Sequence, residues 1–521
     1  MSSARVWPST SLNALAGRLT VLTLAASLLT AAPLASPAVA STPTTTQVSL
    51  TVSGGQPNDN SAARDITPDG RVVLFKSSAS NLLGTSQSVG EQLYLRDMDT
   101  GAVERVSLNS TGEAANAAVA EGAVSADGRF AAFATAASNV VEGDGNGYSD
   151  IFVRDGSTGE TQRVSVSSSG TEGDKASTSP SISADGRYVA FRSYATNLVP
   201  GDTNGTSDIF VHDGTTAQTS RVSVTSAGGQ AELGHSYAPD LSASGQFVAF
   251  YSDASNLGGG LYEDVFVHDR NTGVTELISV PDAASGAAGR GLWPSISSDG
   301  RFVAYVDGGH GNTFNVYRRD RHTGVILLTS INSGGAPVAG SHKEPRISGD
   351  GRAVAFESDA ALVAADANAY VDVYLRDFAA NSIELVAVNS AGNQGSSWSQ
   401  KGLVSYDSRY VAFTTGSALV PSDTCCYDVY RRDRGEQLPW VPAEQTFGLV
   451  MASSRHGVNP SGWQSDPVNS ATGSYTTAAT DLALPGVGDE FVMRRVYNSA
   501  DTAATDLGQG WSHTLAPSLS F

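Results

Sequence analysis

Short apolar runs bounded by polar turns recur along most of this chain, and the clearest example is Ser181 to Phe191, which reads SISADGRYVAF. Ser181-Ile182-Ser183 predicts a short strand, Asp185-Gly186 a two-residue hairpin turn with positive φ at both positions, and Arg187 to Arg192 the returning strand. The core Tyr188-Val189-Ala190-Phe191 is apolar at every position, the pattern of a strand covered on both faces. A longer polar loop, Asn197 to Ser207, leads to a third run, Asp208 to Asp213, and a second tight turn introduces a fourth, Ser220 to Val224.

The same order repeats. The third run returns as DIFVRD from Asp150, DVFVHD from Asp264 and DVYLRD from Asp372, and as QLYLRD, NVYRRD and DVYRRD in the first, fifth and seventh units. The second turn is clearest at Asn271-Thr272-Gly273 and His322-Thr323-Gly324. The hairpin turns centre on Asp69-Gly70, Asp127-Gly128, Asp185-Gly186, Ser244-Gly245, Asp299-Gly300, Asp350-Gly351 and Asp407-Ser408, with spacings of 58, 58, 59, 55, 51 and 57 residues. A period above fifty is long for a solenoid rung and suits a four-stranded blade. The fold class is therefore all-β: a seven-bladed propeller of four-stranded blades, followed by a partial β-rich segment. The seventh unit lacks its fourth strand after Asp433, while an orphan copy, Gln47 to Val52, precedes the first unit. That orphan is expected to complete the last blade and close the ring, which removes two exposed sheet edges.

The S-x-D-G-R-x-V-A-F turn followed by the D-I/V-F/Y-x-R/H-D strand resembles the TolB-type, WD40-like β-propeller repeat over about residues 46 to 434. That resemblance implies a binding platform rather than a particular activity. Four later blocks, Asp466 to Gly473, Thr480 to Gly486, Arg495 to Ser499 and Leu507 to His513, resemble the opening segment of RHS/YD-repeat proteins over residues 465 to 521. In that family the segment begins a large β shell that can enclose a C-terminal toxin or effector. No run of YD-type repeats follows here, so the chain is expected to be the front of a longer protein or a truncated product.

Composition refines this picture. Only 16% of residues are charged and 55 are glycine, which suits an ordered, turn-rich β protein. Arg5 and Arg18 flank the apolar run Leu19 to Ala32, and Ala38-Val39-Ala40 fits a signal-peptidase site. The expected division is a signal peptide over 1–40, the propeller over 41–434, a linker over 435–464 and the RHS-like segment over 465–521. The expected destination is secretion or association with the cell envelope, without an integral membrane span. The net charge is 32 − 52 = −20, or 30 − 52 = −22 without the two leader arginines, which argues against nucleic acid as a partner. The two cysteines, Cys425 and Cys426, are adjacent and cannot staple distant parts of the fold; a vicinal disulfide and two loop thiols both remain open.

Candidate chemistry is sparse. The repeated Asp-Gly-Arg reads as turn chemistry and as inter-blade hydrogen bonding. No G-x-S-x-G elbow, H-E-x-x-H pair or phosphate-binding loop occurs. Asp144-x-Asn146-x3-Asp150 and its copy Asp202-x-Asn204-x3-Asp208, with a weaker third at Asp366, Asn368 and Asp372, place oxygen groups as calcium requires. The competing and favoured reading is a set of local side-chain turns. The units differ most just before their inner strands, at Lys175, His235, Arg290 with Trp293, His342 with Lys343, and Trp398; these are the candidate binding residues of a mouth on the long-loop rim. The expectation is an exported, non-enzymatic binding or scaffold protein that recognises a protein or cell-envelope glycan. The alternatives are a secreted propeller hydrolase acting on polysaccharide or peptide, and a targeting module for an RHS-type toxin or surface protein.

Overall fold

The computed structural model describes residues 42–437, apart from 85–89, 261, 283–289, 309–313 and 436, together with the backbone of four strands between 468 and 513. The expected leader and most of the expected linker lie outside the described residues. Residues 44–433 form seven four-stranded antiparallel sheets arranged as a propeller. No helix occurs among the described residues, so none is long and apolar enough to cross a membrane.

Blade three shows how the repeat folds. Its strands are Ser177–Ile182, Tyr188–Ser193, Asp208–Asp213 and Gln218–Arg221, paired in sequence order. The middle two strands carry the apolar runs because both of their faces are covered by neighbouring blades. Phe191 and Phe210, both fully buried, stack at 5.9 Å, and the equivalent pairs Phe75–Tyr94, Phe133–Phe152 and Phe250–Phe266 lie at 5.7, 5.6 and 5.8 Å. Each core layer lies between blades: Ala190, Ile209 and Val211 of blade three pack with Val248, Phe250 and Phe266 of blade four. Each such aromatic contributes about 1.5–3 kcal/mol on burial.

The hairpin turn departs from expectation in its geometry. Ser183 N donates to Tyr188 O and Gly186 N to Ser183 O, so four residues lie within the closing bond. Only Gly186 has positive φ, at 75°. The Asp185 carboxylate instead accepts from Ser183 Oγ at 2.6 Å and Arg187 N at 3.0 Å. Gly186 is required twice over, since a Cβ there would sit 2.2 Å from Phe130 Cδ2 of the preceding blade. Ser408 takes this place in blade seven with φ 62°.

The Arg of the turn also differs from expectation, because its ion pair lies within its own blade. Arg187 grips Asp213, the end of the third strand, at 2.8 and 2.7 Å, and Arg71–Asp97, Arg129–Asp155, Arg301–Asp320, Arg352–Asp377 and Arg409–Asp433 repeat the contact. Backbone bonds between turns link the blades instead: Ala126 N to Ala184 O, Ala184 N to Ala243 O, Ala243 N to Ser298 O, and Ser298 N to Gly349 O. Asp350 N to Tyr406 O and Tyr406 N to Pro68 O carry the series onto blade one. Pro68 has no N–H to pass it on to blade two.

An N-terminal strand closes the ring as expected, but it runs over Thr44–Gln47 rather than Gln47 to Val52. Thr44–Gln47 pairs antiparallel with Asp428–Asp433, opposing Asp433 to Tyr430. Val48 N donates to Val429 O, and Ser49 Oγ to Asp428 at 2.5 Å. Further along, Val468–Asn469, Ser474–Leu484, Phe491–Asn498 and Trp511–His513 form a separate four-stranded antiparallel sheet, with a register shift between Thr480 and Leu482.

Candidate ligand site in the central channel

The innermost strands enclose a cavity of about 620 Å³, lined by residues of all seven blades. Each of these strands carries a bulge. In five successive blades the bulge puts a non-glycine residue in the left-handed region: Ser179 (φ 56°), Ala238 (44°), Trp293 (48°), Glu344 (50°) and Lys401 (57°). The first four precede proline, and all five line the cavity. Such a conformation costs roughly 1–2 kcal/mol per residue. Strain held at one repeated position while the side chain changes in every copy is characteristic of a site rather than a scaffold.

Charged groups converge deeper in. Asp65, Asp240 and Arg346 occupy one level of the inner strands, with Arg64, Glu121, Glu344 and Lys401 beside them towards the long-loop end. The carboxylates are tied down. Asp65 accepts from Ile66 N at 2.8 Å and, across the blade boundary, from Val124 N at 2.9 Å. Asp240 accepts from Ile296 N at 2.9 Å, Glu121 from Ser179 N at 2.5 Å, and Glu344 pairs with Lys401 at 3.0 Å. Burial pushes the Asp65 carboxyl up to about 6 and raises that of Asp240 as well, against the lowering effect of their backbone donors and of Arg346. Burial lowers the Arg64 guanidinium against the raising effect of Glu91, Glu121 and Glu344, and the charge of Arg346 adds a smaller lowering.

Of the residues picked from sequence, Trp293 lines this cavity. Lys175 is exposed on the rim. His235 accepts from Ser207 N at Nδ1, 3.0 Å, and lies between Tyr194 and Tyr237 with ring centroids 5.8 and 5.9 Å away. Arg290 pairs with Glu263 at 2.9 Å and lies over Tyr262. Lys343 lies over the Phe314 ring, and Trp398 packs against Tyr427 with centroids 5.5 Å apart. His342 is fully buried, bonded to Ser358 Oγ and Val338 O at 3.0 Å each, and burial lowers its pKa. It therefore holds its blade together and does not reach a mouth, and His235 belongs to a different blade. Sequence reading missed Arg64, Asp65, Glu121, Asp240, Glu344, Arg346 and Lys401. The available signal was the residue before proline in aligned inner strands: Ser-Pro, Ala-Pro, Trp-Pro and Glu-Pro.

The paired Asp-Asn-Asp loops form side-chain turns. Asn146 Nδ2 donates to Asp150 at 3.0 Å while its Oδ1 accepts from Tyr148 N; Asn204 does the same with Asp208 and Thr206 N. Asp144, Asp150 and Glu172 gather closely enough for a cation. An arginine already supplies positive charge there: Arg163 pairs with Glu172 and lies 3.7 Å from Asp150. In blade three Arg221 stands 3.2 Å from Asp202 and 3.5 Å from Asp208. The other copies compensate differently. Where the third strand has Tyr in place of Phe, the Tyr374 and Tyr430 hydroxyls donate to Asp366 and Asp423. Cys425 and Cys426 are free thiols, and burial raises the Cys426 thiol to about 12.

Residues 465–521 match the family described as "Domain of unknown function (DUF6531)". No curated protein matches the chain. Among solved structures, TolB from Acinetobacter baumannii is similar, 15% identical with a TM-score of 0.36 over 63% of this chain and 64% of that one, just under two thirds of its length. An oligogalacturonate lyase in complex with manganese is 12% identical, with a TM-score of 0.46 over 75% of this chain and 95% of that one. The β-propeller domain of the Trilobed protease from Pyrococcus furiosus is 13% identical, with a TM-score of 0.45 over 74% and 98%.

Proposed function

We propose that the chain is an exported, non-enzymatic binding or scaffold protein whose propeller recognises a protein or cell-envelope component at the long-loop mouth of its channel. The observation that carries this reading is the run of five strained bulge residues, each with a different side chain, on a scaffold that otherwise repeats. Exposed tyrosines at Tyr148, Tyr194, Tyr262, Tyr370 and Tyr427 on the surrounding rim suit a recognition face. No histidine lines the cavity, so a hydroxyl there has no imidazole partner among the described residues to activate it. Residues 465–521 would add an RHS-like β segment, and the whole could serve to target a larger toxin or surface protein. The test is capture of envelope fractions by the full chain and by a Trp293→Ala, Lys401→Ala double variant. Loss of capture in the variant is expected; equal capture by both overturns the reading.

One observation favours the hydrolase alternative: two buried carboxyls, Asp65 and Asp240, are both held above the usual range in one cavity. Polysaccharide or peptide hydrolysis that disappears in Asp65→Asn and Asp240→Asn would support it.

A further inference from the structure

The carboxylates and the guanidiniums of the channel are not partnered in the same way. The carboxylates already accept backbone N–H groups or a lysine. Arg64 donates from Nε to Ala120 O and from Nη1 to Ala63 O, both at 2.8 Å, and pairs with no carboxylate among the described residues. Arg346 is exposed within the channel, and no hydrogen bond or ion pair among the described residues engages it. It feels the fields of Asp65, Asp240 and Glu344 without bonding to any of them, and Arg64 feels its charge in turn, more weakly than that of the neighbouring glutamates. Two guanidiniums lining one channel, neither bonded to a carboxylate, form a site for a group with two acceptor oxygens, which Arg recognises bidentately.

We propose that the channel captures a single carboxylate, the free C-terminal end of a peptide segment, between Arg346 and Arg64. This rests on the reading of the channel as the binding site. Trp293, Pro180, Pro239 and Pro294 add apolar surface beside the arginines, on walls that also carry Glu121, Glu344 and Lys401, and so suit the apolar side chains of a peptide end. A polyanionic glycan fits less well, because the chain carries a net charge of −20 and repels extended negative charge. The cavity is large enough for a short chain end and too small for a folded partner.

The experiment immobilises the full chain and measures, by mass spectrometry, retention of a tetrapeptide pool with free C-termini against the same pool amidated. Inorganic phosphate and trigalacturonate are tested alongside. The free-acid pool should be retained about tenfold or more over the amidated pool, and Arg346→Gln and Arg64→Gln should each bring that ratio down by about tenfold, the loss of one charge-assisted pair. Arg346→Lys keeps the charge and should still lose most of the preference, which separates carboxylate recognition from any effect on folding. Equal retention of acid and amide pools, no retention of either, or preferential retention of phosphate or trigalacturonate overturns the proposal. If both pools are retained equally and Trp293→Ala abolishes that retention, the channel remains the binding site and the carboxylate assignment alone fails.

Discussion

The two ends of each inner hairpin are built on opposite principles. At the turn of the inner hairpin the chain uses left-handed backbone only at glycine, or once serine, and in five blades that glycine lies against an aromatic ring of the neighbouring blade. At the long-loop end left-handed backbone falls on Ser, Ala, Trp, Glu and Lys in turn, and these residues line the channel. The first end spends its irregularity on joining blades. The second stores it at a site.

That contrast can be broken most severely by opening the ring. Removing residues 42–53 takes away the strand that pairs with Asp428–Asp433, strips the buried Val48 from its cluster with Leu403 and Val429, and leaves the buried Asp428 without Ser49. The expected cost is about 5 kcal/mol or more, with loss of a single cooperative melting transition by calorimetry. An unchanged transition would mean that closure contributes little.

The next test compares glycines. Gly186→Ala must meet both the strain at φ 75° and the Phe130 ring 2.2 Å away, for an expected loss of about 2–5 kcal/mol in urea denaturation. Gly205→Ala, in a long loop at φ 69° with open space around its Cβ, should lose only about 1–2 kcal/mol. Equal losses would remove the distinction between the two ends.

A third test uses pH. Burial raises Asp65, Asp150, Asp202, Asp372 and Asp428 to about 6. The folded state therefore binds these protons more tightly than the unfolded chain, and stability should increase as pH falls through 6. The Arg–Asp pairs of the turns work in the opposite sense: the Arg71 bond holds Asp97 down at about 2, and Arg187 lowers Asp213. Their contribution is lost as pH falls below about 4. Melting temperature should thus peak near pH 4–5, with Asp65→Asn flattening the slope between about 4 and 6. A peak above pH 7 would contradict the buried-carboxylate assignment.

The smallest effect has the opposite sign. Ala238→Gly relieves φ 44° while removing only a methyl group, and should stabilise by about 0.5–1 kcal/mol. Destabilisation there would show that the left-handed bulge is not strained.

The repeat, the blade count and the strand that closes the ring were legible in the sequence because each depends on local chemistry. Asp, Ser and Gly bond within one turn, apolar tetrads report coverage of both faces, and a missing strand leaves an orphan elsewhere in the period. The reading of Asp144, Asn146 and Asp150 as a side-chain turn was legible for the same reason. Arg163 was not, because it enters from the fourth strand, beyond the spacing of that motif. The mouth was misplaced towards His342, since one residue's shift through the bulge decides whether a position faces the core or the lumen.

The sequence by itself determined a scaffold of seven like blades and where their copies disagree. Only the tertiary structure brought Arg64 and Asp65 of blade one, Asp240 of blade four and Arg346 of blade six to one cavity. These residues lie up to 282 positions apart in the chain, and no local pattern records a meeting that exists only after the ring has closed.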